Sequence, residues 1–122
     1  TETEVSLAVS EMAMPFENVF VSKEEECFKV NGLGSLVVKS CLNGKVTKVE
    51  NKGLVKTVTI SHGKGLVSVY ENLDNVGVKE GDSVKKNSAI GVSFSSQINL
   101  RILLAGKTLA GLIVKDGEMT FI

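Results

Sequence analysis

Gly44-Lys-Val-Thr-Lys-Val49, Val58-Thr-Ile-Ser-His-Gly-Lys-Gly-Leu-Val-Ser-Val-Tyr70, Val78-Lys-Glu-Gly-Asp-Ser-Val-Lys-Lys86 and Ala89-Ile-Gly-Val92 follow one another across residues 44–92 with little chain between them. Each piece alternates apolar with polar residues or is a short β-branched run, and each is punctuated by Gly, Asn or Asp. Half-buried strands joined by tight turns have this pattern. No helical period competes with it. The stretch reads as a β-barrel module, and the expectation it sets for the whole chain is all-β, an antiparallel barrel-sandwich with a short N-terminal arm.

Composition agrees. The 122 residues suffice for one domain with a real core. Apolar residues make up 43%, with no Trp and one Tyr, so Val, Leu and Ile must fill that core, and these suit pleated sheets. The 14 basic and 14 acidic residues cancel. No basic face able to hold a nucleic-acid backbone by charge is implied, which removes nucleic acid from the expected partners. No apolar run approaches the roughly 18 residues of a membrane-spanning helix. The first residue is Thr rather than Met, so a membrane anchor or signal upstream of the given chain stays open. Cys27 and Cys41 are the two cysteines; they read as free, partly buried thiols rather than a disulfide framework, a single bridge being the other reading.

Working outward, residues 1–30 form the arm, with Val5-Ser-Leu-Ala-Val9 and Phe16-Glu-Asn-Val-Phe20 as short candidate strands around Met14-Pro15. The run Glu24-Glu25-Glu26 reads as a solvated loop rather than a metal cluster, because adjacent carboxylates on a strand point in opposite directions. Residues 31–122 form the β domain proper. Asn31-Gly-Leu-Gly34 turns into Ser35 to Leu42, and Asn43-Gly44 predicts a hairpin back into Lys45 to Val49, since both turn positions tolerate positive φ. On the strand from Leu54 to Ser61 both faces are partly apolar, as in a closed barrel with a covering layer. Turns are predicted at Glu50-Asn-Lys-Gly53, His62-Gly-Lys-Gly65, Lys79-Glu-Gly-Asp82 and Ala105-Gly-Lys107. Lys115-Asp-Gly117 predicts a C-terminal hairpin.

The order of motifs Gly34-Ser-Leu-Val37, Asn43-Gly-Lys-Val46, Val58 to Leu66, Tyr70-Glu-Asn-Leu73, Val78 to Lys86 and Ile90-Gly91 resembles the LytM-type (lysostaphin-like) zinc metallopeptidase domain over about residues 31–107. The resemblance implies the duplicated-hybrid-motif fold of that family, and in its active members a groove-bound zinc that cleaves peptidoglycan peptides. Such an enzyme holds zinc with two His and one Asp and uses further His residues on the attacking water. This chain has one histidine. The family's His-x-x-x-Asp segment falls on Glu24 to Leu33, which contains neither residue. Its Tyr-x-His-Leu motif reads Tyr70-Glu-Asn-Leu73, with Asn72 at the histidine position, and its His-x-His segment reads Gln97-Ile-Asn99. Amide oxygens are poor substitutes for imidazole at zinc.

By the resemblance, the chain is a pseudoenzyme without catalytic residues, metal or cofactor. It would act as a binding or scaffolding module in the bacterial cell envelope, outside the cytoplasm. Inactive members of the family activate cell-wall hydrolases or build the sporulation channel of endospore formers. An envelope protein or peptidoglycan is then the partner, and exposed strand edges offer a route to self-association. Tyr70, Asn72, Gln97 and Asn99 are the residues expected to line what remains of the groove; the other reading makes them ordinary strand-end polar residues. His62 reads as a structural turn histidine. With Cys27 and Cys41 it matches no compact zinc motif. Neither a Gly-x-Ser-x-Gly elbow nor a phosphate-cradling glycine loop is present. Two rivals remain: a wall peptidase with an unrecognised metal site, and a lipoyl- or biotinyl-type carrier suggested by Val78-Lys-Glu-Gly-Asp-Ser-Val-Lys-Lys86.

Overall fold

A computed structural model describes residues 12–13, 15–16, 20–23, 27–34, 36–109, 112–115 and 118–121. Among these residues fourteen strands are formed: β1 (Met12–Ala13), β2 (Phe20–Lys23), β3 (Phe28–Asn31), β4 (Val37–Lys39), β5 (Gly44–Lys52), β6 (Val55–Gly63), β7 (Leu66–Leu73), β8 (Asn75–Val76), β9 (Ser83–Val84), β10 (Ala89–Val92), β11 (Gln97–Leu104), β12 (Lys107–Thr108), β13 (Leu112–Lys115) and β14 (Glu118–Phe121). Every pairing is antiparallel. The large sheet runs β2-β3-β11-β7-β6-β5-β9, with β12 hairpinned onto β11. Two three-stranded sheets, β4-β10-β8 and β1-β14-β13, complete the structure.

The all-β antiparallel expectation stands, but the sheets do not close into a barrel: β2 and β9 end the large sheet without meeting. Apolarity on both faces of β6 has another cause. The β6–β7 register slips between Lys56 and Val58, so Thr57 and Val58 are both buried although they are neighbours. A bulge, rather than closure, turns both toward the interior.

Asn43-Gly44 makes no hairpin. β4 pairs with β10, while β5 begins at Gly44 and pairs with β6 and β9. Gly44 is needed for close approach instead of turn geometry: a Cβ there would lie 2.5 Å from the Ser61 carbonyl oxygen and 2.8 Å from His62 Nδ1. The turn read at Glu50–Gly53 falls at Gly53-Leu54, with Glu50 to Lys52 paired on β5, and His62 and Gly63 belong to β6, so the turn there is Lys64-Gly65. Lys64 and Gly65 (φ +54° and +82°) link β6 to β7, and Ala105 and Gly106 (φ +53° and +82°) link β11 to β12. Two consecutive positive φ values match the right-handed twist of the strands they join. The candidate strand at Val5–Val9, the Glu24–Glu26 run and the Asp116-Gly117 turn lie outside the described residues, as do residues 17–19 of the candidate strand Phe16–Phe20; the strands flanking that last turn pair with each other.

One continuous core joins the large sheet to the sheet beside it. Val30, Val46, Val58, Ile60, Leu66, Tyr70, Ile98, Leu100 and Ile102 come from the former, and Val38 and Ile90 from β4 and β10. Met12 and Phe16 belong to the same cluster. Ala13 N–H donates to the Cys41 carbonyl (2.8 Å) and Lys39 N–H to the Pro15 carbonyl (2.7 Å), so this part of the arm lies along the outer edge of β4.

Candidate functional site

Strand β7 ends at Asn72-Leu73, and the turn there is made by Asn72 in the left-handed region (φ +77°), which Asn tolerates better than most residues. With the backbone so bent, Leu73 enters the core while the Asn72 amide reaches across to β11. Its Nδ2 donates to the Gln97 carbonyl (2.9 Å) and to Ser95 Oγ (3.3 Å). Ser93 Oγ donates to the same carbonyl (2.8 Å), and Phe94 N–H donates to Asp74 Oδ2 (2.6 Å). A third loop joins them: Gly32 N–H donates to the Ser96 carbonyl (2.7 Å), and Ser93 N–H to the Leu36 carbonyl (2.9 Å). Gly34 N–H donates to Ser96 Oγ (3.0 Å).

Three loops at one end of the fold are thus laced into one platform, on which Leu33, Leu36, Val37 and Phe94 are exposed. An apolar groove of about 290 Å³, walled by Val37, Val76, Ile90 and Val92, opens beside it. Gly91 lies on its floor, where a Cβ would sit 2.4 Å from the Asn75 carbonyl oxygen.

Gln97 and Asn99 alternate along β11 with buried Ile98 and Leu100, so both amides stand on the outer face of the large sheet. By register Asn99 lies between Lys29 on β3 and Glu71 on β7. Glu71 Oε1 is 3.6 Å from Arg101 Nε. Among the described residues neither the Gln97 nor the Asn99 side-chain amide has a hydrogen-bond partner. The structure therefore brings Asn72 and Gln97 into contact and sets Asn99 on the same face as Gln97.

Tyr70 is placed elsewhere. Its side chain is 0% exposed and cannot line a groove wall; position 70 falls on the inward-facing phase of β7. Its hydroxyl accepts the Cys41 N–H (2.9 Å) and lies 2.8 Å from Ser68 Oγ. Ser68 Oγ in turn is 2.7 Å from His62 Nε2, and His62 Nδ1 is 2.8 Å from the Asn43 carbonyl oxygen.

This chain of polar groups, buried from Cys41 to Ser68 and more open at His62, escaped the sequence reading. Its signal was present: Ser68 and Tyr70 are two apart on one strand and so share a face, and a buried Tyr hydroxyl requires a partner. Burial pushes the Cys41 thiol up to about 12, with the Tyr70 bond pulling the other way. Burial also raises Tyr70 and lowers His62, the latter opposed by its bond to Asn43. Cys27 and Cys41 are not joined in a disulfide, and Cys41 is fully buried.

The donor set does not fit zinc. At the three positions named from the sequence stand neutral amides, which zinc binds poorly. The single imidazole has both ring nitrogens engaged. Among the described residues no three His, Cys, Asp or Glu side chains converge.

Over 57 residues the chain is 40% identical to stage II sporulation protein Q of Bacillus subtilis, a match covering 46% of this chain and 20% of that protein. The chain thus spans about a fifth of that relative's length. In a crystal structure of a SpoIIIAH and SpoIIQ complex, one chain superposes with a TM-score of 0.69 at 26% identity, covering 81% of this chain and 96% of that one. A putative M23 peptidase from Pseudomonas aeruginosa shares the fold, with a TM-score of 0.68 at 19% identity over 88% of this chain and 55% of that one. The M23 peptidase family model matches residues 30–118, and the chain belongs to peptidase family M23.

Proposed function

We propose that this domain is a non-catalytic member of its family, a binding or scaffolding module that docks a protein partner in the bacterial cell envelope, outside the cytoplasm. The observation that carries this reading is the replacement of the expected zinc ligands by Asn72, Gln97 and Asn99, on a face where no metal-binding set converges among the described residues. The likeness to a protein solved in complex with SpoIIIAH supports a SpoIIIAH-like partner and a place in a sporulation channel. Residues 1–30 serve as an arm on a β domain of residues 31–122. The hydrogen-bonded loop platform with exposed Leu33, Leu36 and Phe94 supplies an apolar centre such as protein interfaces use. Asn72, Gln97 and Asn99, with Tyr70 beneath them in the core, offer amides to a peptide or glycan.

Titration calorimetry against SpoIIIAH tests the reading. The pair Leu36→Ser and Phe94→Ser is expected to weaken binding at least tenfold if the platform docks the partner, while Gln97→Ala with Asn99→Ala leaves it intact. The opposite pattern assigns docking to the amide face, and binding untouched by both sets points to a strand edge. Stoichiometric zinc in protein purified without chelator, together with loss of cell-wall turbidity, would overturn the non-catalytic reading.

A further inference from the structure

Two Asn-Gly dipeptides occur in the chain, Asn31-Gly32 and Asn43-Gly44. The first enters the loop platform; the second has the composition of a hairpin turn and makes none. Asn-Gly carries a chemistry of its own. With no side chain on the second residue, its backbone nitrogen is free to approach the Asn side-chain carbon. The nitrogen gives up its proton and bonds to Cγ, the Cγ–Nδ2 bond breaks, and ammonia leaves with a proton taken from water. Water then opens the succinimide at one or the other carbonyl, giving aspartate or isoaspartate.

The fold treats the two dipeptides differently. At Asn31 the attacking atom is tied up, because Gly32 N–H donates to the Ser96 carbonyl (2.7 Å). The next residues are held too, Leu33 N–H by Asn31 Oδ1 (2.8 Å) and Gly34 N–H by Ser96 Oγ (3.0 Å). Asn31 itself closes β3, which is paired on both sides. Asn43, by contrast, is exposed on the turn before β5. Gly44 opens β5 and pairs with Val84 of β9, a two-residue strand at the end of the large sheet. A short edge pairing of this kind opens locally at far lower cost than the core strands do.

Two contacts favour the reaction once Gly44 is released. Lys86 N–H donates to Asn43 Oδ1 (2.8 Å), the atom on which negative charge develops as Cγ becomes tetrahedral, and a donor already in place lowers that barrier. His62 Nδ1 lies 2.8 Å from the Asn43 main-chain oxygen. A carbonyl only accepts, so the ring nitrogen donates there; it draws electron density from the adjoining Gly44 nitrogen and eases loss of its proton. Packing keeps the second residue a glycine, since a Cβ at 44 would lie 2.5 Å from the Ser61 carbonyl oxygen.

We propose that Asn43 is the site at which the folded domain modifies itself, becoming aspartate or isoaspartate, while Asn31 is spared. Either product adds a negative charge. Isoaspartate also adds a methylene to the main chain where Gly44 passes Ser61, and so loosens the turn whose Cys41 N–H is bonded to Tyr70.

The test ages the whole chain at mildly alkaline pH, in native buffer and in unfolding urea. Trypsin separates the two sites into the peptides 30–39 and 40–45, and mass spectrometry reads amide-to-acid conversion in each. In native buffer peptide 40–45 is expected to convert at least tenfold faster than peptide 30–39. In urea the two are expected to keep pace, each Asn being followed by Gly. Asn43→Gln, whose longer side chain must close a larger ring, is expected to abolish conversion of 40–45. A smaller native ratio, faster conversion at Asn31, conversion at Asn43 in urea alone, or the same ratio in urea as in native buffer would overturn the proposal.

Discussion

Strand β7 crosses two unlike regions within five residues. At Ser68 and Tyr70 its polar atoms are turned inward and bonded to His62 and Cys41. At Asn72 the backbone flips to positive φ, and beyond it the polar groups of Gln97 and Asn99 face outward. The first region is polar chemistry spent on holding the fold. The second is polar chemistry left over for something else. The difference teaches that polar residues in a domain of this family need not mark a groove: strand phase decides which side of the sheet each one serves.

The comparison breaks most visibly at Tyr70. Tyr70→Ala is expected to cost about 3–5 kcal/mol through the cavity it leaves, and Tyr70→Phe about 1–3 kcal/mol, because the buried Cys41 N–H loses its acceptor. Urea midpoints measure both; a Tyr70→Phe protein as stable as the parent would mean the sealed region contributes nothing through its hydrogen bonds. A smaller effect is expected at the turn that His62 bonds through the Asn43 carbonyl. Gly44→Ala puts a Cβ against the Ser61 carbonyl and should cost about 1–3 kcal/mol by overpacking, seen as faster amide exchange along the β5–β6 pair. Smallest of all, Gln97→Ala with Asn99→Ala should shift stability by no more than about 0.5 kcal/mol each. A large loss there would show that the outer amides are structural and erase the contrast.

Much of this was legible in the chain. The runs Leu66 to Tyr70 and Ile98 to Leu104 announced the two strands that carry both regions, although β7 continues to Leu73 and β11 starts at Gln97, and Gly63-Lys-Gly65 and Ala105-Gly106 announced their hairpins. The amide replacements at 72, 97 and 99 were visible because they are identities, independent of geometry. What misled was local: Asn43-Gly44 has the composition of a hairpin turn, yet Gly44 is required by the approach of Ser61 and His62, neighbours that come from another strand. Likewise, apolarity on both sides of β6 suggested closure, and a one-residue bulge at Lys56–Val58 accounts for it.

By itself the sequence determined the strand class, the places of most turns and the missing imidazoles, since period, φ preference and ligand chemistry belong to residue types. Only the tertiary structure decided that the large sheet stays open, that Tyr70 lies sealed beneath the surface, and that His62 is bonded at both nitrogens. Those outcomes depend on which strands pair and on partners far apart in the chain, which the side-chain pattern along one strand does not name.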